Sequence, residues 1–167
     1  MFKSFFPDEY LDSAYEIDYD GLYRKGIRGI LFDIDNTLVP HGAPADERAV
    51  RLFEKLHERG FGCCLVSNNK KPRVEPFASA VGAHYLEDAG KPSVKGYQKA
   101  MEILGTDTKN TVFVGDQLFT DIYGAKRAGL QTFLVKPIHP KEEIQIVLKR
   151  YLEKIILYFY MKEEGDS

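Results

Sequence analysis

No tryptophan occurs in the chain, and cysteine occurs only as the adjacent pair Cys63 and Cys64, inside the apolar run FGCCLV. Neighbouring cysteines rarely bridge to each other, and no third is present. A disulfide scaffold is therefore excluded, and the pair reads as buried reduced thiols of a cytoplasmic protein rather than as a nucleophile. Long hydrophobic runs are lacking too: no stretch approaches the roughly 20 apolar residues that span a bilayer. The opening MFKSFFPDEY meets charges before any apolar run develops, so no secretory leader is expected. Neither charge sign is in excess, since 23 Lys and Arg against 25 Asp and Glu leave a net charge of −2. Bulk attraction to nucleic acid is excluded, and any hold on phosphate must come from local patches. The four histidines are scattered, and His57-Glu58 lacks the second histidine of a zinc protease.

What is present is a regular alternation of elements. The length suits one domain over 1–167, read as an N-terminal arm (1–28), a core (29–136) and a C-terminal helix (141–160). The arm carries no clear periodicity and is expected to be irregular. Short apolar runs at 29–33, 62–67, 84–87, 111–115 and 131–135 predict five buried strands. Between them the apolar spacing predicts helices. The clearest carries Ala49, Leu52, Phe53 and Leu56, with Gly60 where a helix stop belongs. Others fall over 71–82, from Val94 to Gly105, and over 120–129. Continuous apolar strands alternating with helices mark an α/β protein whose doubly wound parallel sheet is covered on both faces, a three-layer arrangement.

In such sheets ligands bind beyond the carboxyl ends of the strands. Those ends here carry polar residues. Asp33, Asp35, Asn36 and Thr37 follow the first predicted strand, and Ser67, Asn68 and Asn69 follow the second. Gly90-Lys91-Pro92 precedes the fourth, while Gly115 and Asp116 end it, with Asp121 five residues further on. Taken singly, each is an ordinary cap or turn residue. Together they gather several carboxylates into one cleft, where like charges repel unless a cation sits among them. Mg²⁺ suits such a site, because it takes oxygen ligands from one or two carboxylates plus a substrate phosphate. A P-loop does not fit, since Gly90-Lys91 is followed by Pro92.

The set DIDNT, S, K and GDQLFTD resembles the motifs of the haloacid dehalogenase superfamily of phosphatases over about residues 29–136. The stretches FPDEYLDSAYEID, FDIDNTLVP, SNN, GKP and VGDQLFTDI are similar to its small capless branch (subfamily IIIA, YqeG-like). That branch is related to phosphatidylglycerophosphate phosphatases. The resemblance implies a Rossmann-like core without a cap domain and a Mg²⁺-dependent phosphatase that works through an aspartyl-phosphate. Asp33 is then the nucleophile, and Asp35 protonates the leaving oxygen before activating water. Ser67 and Lys91 hold the phosphoryl group. Mg²⁺ is held by Asp33, Asp116 and the backbone carbonyl of Asp35, while Asp121 either orients a metal-bound water or braces Lys91. Thr37 and Asn68 are candidates for substrate binding or for stabilising the turns.

Two other classes compete. A signalling receiver domain is also an α/β phosphoacceptor, but its acidic pair and its acceptor stand in a different order along the chain. A partner-binding protein with a dead site would have lost a motif residue, and none is missing. The short gaps from Thr37 to Ser67 and from Asn69 to Lys91 leave no room for a cap. An open site favours hydrolysis, since phosphomutases need water excluded, and it suits a large substrate. Lys70, Lys71 and Arg73 form either a basic rim for an anionic ligand or a solvated helix start. The aromatics of MFKSFF and IILYFYM either pack on the body or touch a bilayer or a second subunit. The expected substrate is thus a phosphate monoester: lipid-linked, such as phosphatidylglycerophosphate, or a soluble metabolite or phosphoprotein. The expected location is cytoplasmic, with peripheral membrane contact and a homodimer as the alternatives to a free monomer.

Overall fold

The computed structural model describes residues 3–139 and 144–166, with side chains in the last helix described from residue 149. Six strands form one sheet: β1 (Glu9–Leu11), β2 (Gly29–Phe32), β3 (Gly62–Val66), β4 (His84–Leu86), β5 (Thr111–Gly115) and β6 (Gln131–Val135). Their spatial order is β1-β6-β5-β2-β3-β4, and every pairing is parallel. The helices are α1 (Tyr19–Arg24), α2 (Glu47–Arg59), α3 (Lys71–Val81), α4 (Val94–Leu104), α5 (Gly124–Arg127) and α6 (Ile144–Gly165). The doubly wound parallel sheet expected from the run-and-helix pattern is the fold observed, and no separate cap is evident among the described residues.

Strand alternation assigns the two faces. Ile30 and Phe32 of β2, Cys63 and Leu65 of β3, and Val112 and Val114 of β5 enter one cluster, with Leu52, Phe53 and Leu56 of α2 and Val74 and Phe77 of α3. The intervening Leu31, Cys64, Val66 and Phe113 enter the opposite cluster, with Tyr97 and Met101 of α4 and Ala125 of α5. A period of two sends successive side chains to opposite faces. Cys63 and Cys64 therefore point into different layers as free, buried thiols, as their apolar setting predicted. Burial pushes both thiols up to about 12, which removes them as nucleophiles at neutral pH.

The helix signals act as read. The Asp46 carboxylate accepts the Ala49 N–H at 2.8 Å at the start of α2, and Gly60 closes it in the left-handed region at φ 110°. The 120–129 segment departs from expectation. It is a π-helical turn over Leu118–Tyr123 followed by the short α5. π-Turns of this kind gather at functional sites. The start of the predicted C-terminal helix at 141 lies outside the described residues, and the helix runs to Gly165.

The arm is not irregular. It supplies edge strand β1, which pairs with β6, and helix α1, whose Leu22 is buried. Asp8 fixes the strand: its carboxylate accepts the Thr132 N–H at 2.7 Å and the Thr132 hydroxyl at 3.0 Å. Phe5 stacks on Tyr123, and Phe6 meets Tyr160 of α6 edge-on. These aromatics pack on the body.

The outer face of α6 is different. Tyr151, Leu152, Ile155, Tyr158, Phe159 and Met161 are exposed, Tyr151 by 67% and Met161 by 65%, and this helix carries all but one of the exposed large apolar side chains described. No helix among the described residues is long and apolar enough to cross a membrane.

The core makes a direct prediction. Phe53 is fully buried and packs on Phe32 with ring centroids 5.1 Å apart. Phe53→Ala should lower unfolding free energy by about 3–5 kcal/mol, read from urea denaturation.

Candidate active site

The sheet places the acids. β2 lies between β3 and β5, and the chain winds outward from β2 in one direction before returning to β5 on its other side. The crevice between the carboxyl ends of β2 and β5 is the switch point where such folds bind ligands. Asp33 follows β2 and donates its N–H to the Val114 carbonyl at 2.9 Å, so it sits beside the end of β5, where Asp116 begins the next turn.

Asp33, Asp116 and Asp121 are all buried, and each offers a carboxylate oxygen within 4.8 Å of the others. Lys91, itself buried, stands among them. Its Nζ donates to Asp33 Oδ1 at 3.0 Å and to Asp121 Oδ1 at 2.7 Å. The Thr37 hydroxyl lies within reach of Asp33 Oδ2 (3.4 Å) and Asp116 Oδ1 (3.2 Å). Ser67 is buried at the end of β3, where its Oγ accepts the Asn69 N–H at 3.1 Å. A hydroxyl used as an acceptor keeps its own hydrogen to donate.

Electrostatics follow from this crowding. Burial raises the Asp33 carboxyl to about 7; the Lys91 ammonium opposes that and the Asp116 charge adds to it. Burial, then the neighbouring carboxylate, also raises Asp116 and Asp121, each to about 6. Burial alone would favour a neutral Lys91, but the charges of Asp121 and Asp33 outweigh it and hold the ammonium above its ordinary value. The Asp121 position depends on a glycine. A Cβ on Gly115 would lie 2.6 Å from Asp121 Cγ, so the pair needs a residue without a side chain there. Asp121 Oδ2 also accepts the Gln117 N–H at 3.1 Å across the π-turn. Both its oxygens are thus engaged, one of them by Lys91.

Asp35 lies apart from this triad. Its carboxylate accepts the Gly42 N–H and the Asn69 side-chain amide, both at 2.7 Å, and the Arg73 guanidinium at 2.9 Å. Asn36, the residue after Asp35, adopts φ 60° at the start of the turn that leads on to Thr37 and Leu38. Asn68 engages the backbone of Lys91, accepting its N–H at 2.7 Å and donating to its carbonyl at 3.0 Å. Its amide is thereby committed to positioning Lys91.

The basic rim is not free. Lys70 pairs with Asp88, Lys71 with Glu75, and Arg73 with Asp35. Each positive charge has a local carboxylate, and the Lys70 and Lys71 pairs are exposed to solvent.

Sequence reading missed Arg150. This residue of α6 donates from Nη2 to Asp116 Oδ2 at 2.8 Å and from Nη1 to the Asp116 carbonyl at 3.2 Å. Next to it Lys149 donates to Gln117 Oε1 at 3.0 Å. The signal lay in an inverted pattern. In KRYLEK the charged Arg150 and Glu153 fall on the packed face and the apolar Tyr151 and Leu152 on the exposed one.

Residues 41–129 match the haloacid dehalogenase-like hydrolase family, and the chain belongs to it. It is 35% identical over 159 residues to "Probable phosphatase YqeG" of Bacillus subtilis (strain 168), covering 94% of this chain and 92% of that protein. The "Phosphatidylglycerophosphate phosphatase 1, chloroplastic/mitochondrial" of Arabidopsis thaliana is 27% identical over 164 residues, covering 88% of this chain but only 45% of the longer plant protein. The cobalt-bound deoxy-D-mannose-octulosonate 8-phosphate phosphatase (YrbI) of Haemophilus influenzae shares the fold at TM-score 0.52 and 13% identity, over 83% of this chain and 91% of that one. The protein is therefore a phosphohydrolase of this family, as the four strand-end motifs indicated.

The acid cluster also fixes a pH dependence. A folded-state carboxyl raised above its ordinary value holds a proton that the unfolded chain releases, so its stabilisation is complete at low pH and lost as pH rises through the raised value. For Asp33, raised from 3.8 to about 7, the window is pH 4–7, and Asp116 and Asp121 act in the same sense. The metal-free protein should melt higher at pH 5 than at pH 8, by on the order of 5 °C. A divalent cation seated among these acids would remove most of that difference by stabilising the ionised carboxylates. Scanning calorimetry at both pH values, with EDTA or with a divalent cation added, reads it.

Proposed function

We propose that the protein is a Mg²⁺-dependent phosphatase that hydrolyses a phosphate monoester through a phosphoryl group carried on Asp33. The observation that carries this reading is the buried cluster of Asp33, Asp116 and Asp121 with Lys91 at the switch point of the sheet. Three hard oxygen donors this close fit a cation that prefers oxygen, and the two cationic side chains paired with them, buried Lys91 and half-buried Arg150, leave part of their charge uncompensated. Asp33, Asp116 and the Asp35 backbone carbonyl would hold the ion. When bound, it supplies positive charge against the phosphoryl oxygens.

The residues divide the work. An Asp33 carboxylate oxygen attacks phosphorus, forming the O–P bond as the ester P–O bond breaks. Asp35 gives a proton to the departing alkoxide. Water then attacks phosphorus, Asp35 takes its proton, and the P–O bond to Asp33 breaks, returning the carboxylate and releasing phosphate. Arg73, Asn69 and Gly42 all donate to the Asp35 carboxylate and fix where it waits. Lys91 and the Ser67 hydroxyl neutralise and orient the equatorial oxygens, the main demand of phosphoryl transfer. Asp121 braces Lys91.

The substrate we propose is a phosphate monoester on a bulky lipid-linked alcohol, with phosphatidylglycerophosphate as the leading candidate. A groove of about 350 Å³ between α6 and the ends of β1 and β6 supports it. Leu118, Leu134, Val135 and Leu157 line it, and Asp116 and Arg150 lie at its polar side. The exposed apolar face of α6 and the name of the plant relative point the same way. Among the described residues no cap stands over the site to enclose a small metabolite.

Asp33→Asn should cut turnover at least a hundredfold, about 2.7 kcal/mol of barrier at 1.36 per tenfold, with the circular dichroism unchanged. Activity within tenfold of wild type contradicts the nucleophile assignment, and full turnover in excess EDTA contradicts the cation. For the substrate, kcat/KM on the lipid in mixed micelles is compared with soluble sugar and nucleotide monophosphates. The lipid should win; a hundredfold advantage for a soluble ester would reject this choice while leaving the phosphatase reading in place.

A further inference from the structure

We infer that Arg150, reaching in from α6, is a positioning residue that orients the Asp116 carboxylate so that only Oδ1 is presented to a cation shared with Asp33. The inference rests on the reading above that a divalent cation is held here. Asp116 divides its polar atoms cleanly. Oδ1 faces Thr37 and the acid cluster, while Oδ2 and the backbone carbonyl are both taken by the two arms of one guanidinium. A planar fork that grips a side-chain oxygen and a main-chain oxygen of the same residue fixes the carboxylate torsion as well as its charge. A lysine supplies the charge without the fork.

The surroundings hold that fork in place. Arg150 Nη1 lies 3.5 Å from Glu153 Oε2, and the Glu153 carboxylate is buried beside it. The Asp116 side chain is wholly enclosed, so an unfixed carboxylate there would be free to turn Oδ1 toward another partner. Two alternatives predict something else. If Arg150 only latches the helix to the π-turn, then Lys149, which bonds Gln117 in the same segment, should matter equally. If Arg150 occupies the position a cation needs, then its removal should tighten cation binding.

The test is the dissociation constant for Mn²⁺, a paramagnetic ion of similar ligand preference, measured on the full-length protein by electron paramagnetic resonance without substrate. Arg150→Gln should weaken Mn²⁺ at least tenfold, and Arg150→Lys at least threefold, whereas Lys149→Ala should stay within twofold. In turnover, the Mg²⁺ concentration for half-activation should rise in Arg150→Gln more than the KM for ester. Equal or tighter Mn²⁺ binding in Arg150→Gln overturns the inference, as does an equal loss in Lys149→Ala. If Arg150→Gln fails to fold, Arg150→Lys decides, and wild-type affinity in that variant overturns the inference. A wild-type protein that binds no Mn²⁺ overturns the cation reading itself, and the inference with it.

Discussion

Three carboxylates buried within 4.8 Å of one another are the constraint on which the rest of this structure depends. Each lone buried charge would cost several kcal/mol or lose its ionisation, so cations must be brought to it from elsewhere in the chain. Lys91 comes from the loop after β4 and Arg150 from α6. Asn68 clamps the backbone that carries Lys91, Gly115 leaves room for Asp121, and Tyr97 of α4 donates to the Thr120 and Asp121 carbonyls beneath the π-turn. Nearly every polar side chain at the strand ends thus serves the cluster or holds something that does.

The parts legible in the sequence were those with local causes. Buried parallel strands read as unbroken apolar runs, and the polar residues that follow them mark the ligand-binding edge, so Asp33, Ser67, Lys91, Asp116 and Asp121 could be assembled from order alone. What escaped depends on partners remote in the chain. The three-residue strand β1 has little apolar signal of its own and exists because Asp8 and Thr132 lock it to β6. The pairing of Lys70, Lys71 and Arg73 turns an apparent basic patch into three local ion pairs, and charge counts along a sequence do not reveal that. Arg150 is 34 residues beyond Asp116, on a helix whose apolar side faces outward.

That helix relates two properties that are usually separate. Its inner face carries a guanidinium to an acid of the site, and its outer face carries six large apolar side chains in solvent. Exposed apolar surface on this scale marks contact surfaces in folded proteins. With the apolar groove beneath it, α6 makes the side of the site near β1 and β6 the apolar side, while the ion-paired α3 makes the opposite side polar. The substrate proposed above, with its charged head and apolar body, would lie along that gradient.

The pairing of β1 with β6 has a consequence in time. Asp8 and Thr132 are separated by 124 positions, so β1 cannot find its neighbour until β6 has been made. At ordinary synthesis rates of about 5–20 residues per second, the arm waits roughly 6–25 s as an unpaired segment while the central strands form behind it. The sheet is therefore completed at its edge by a segment synthesised well before its neighbour. When it docks, β6 ceases to be an open edge, and the row of backbone groups that could recruit a neighbouring molecule is covered from within.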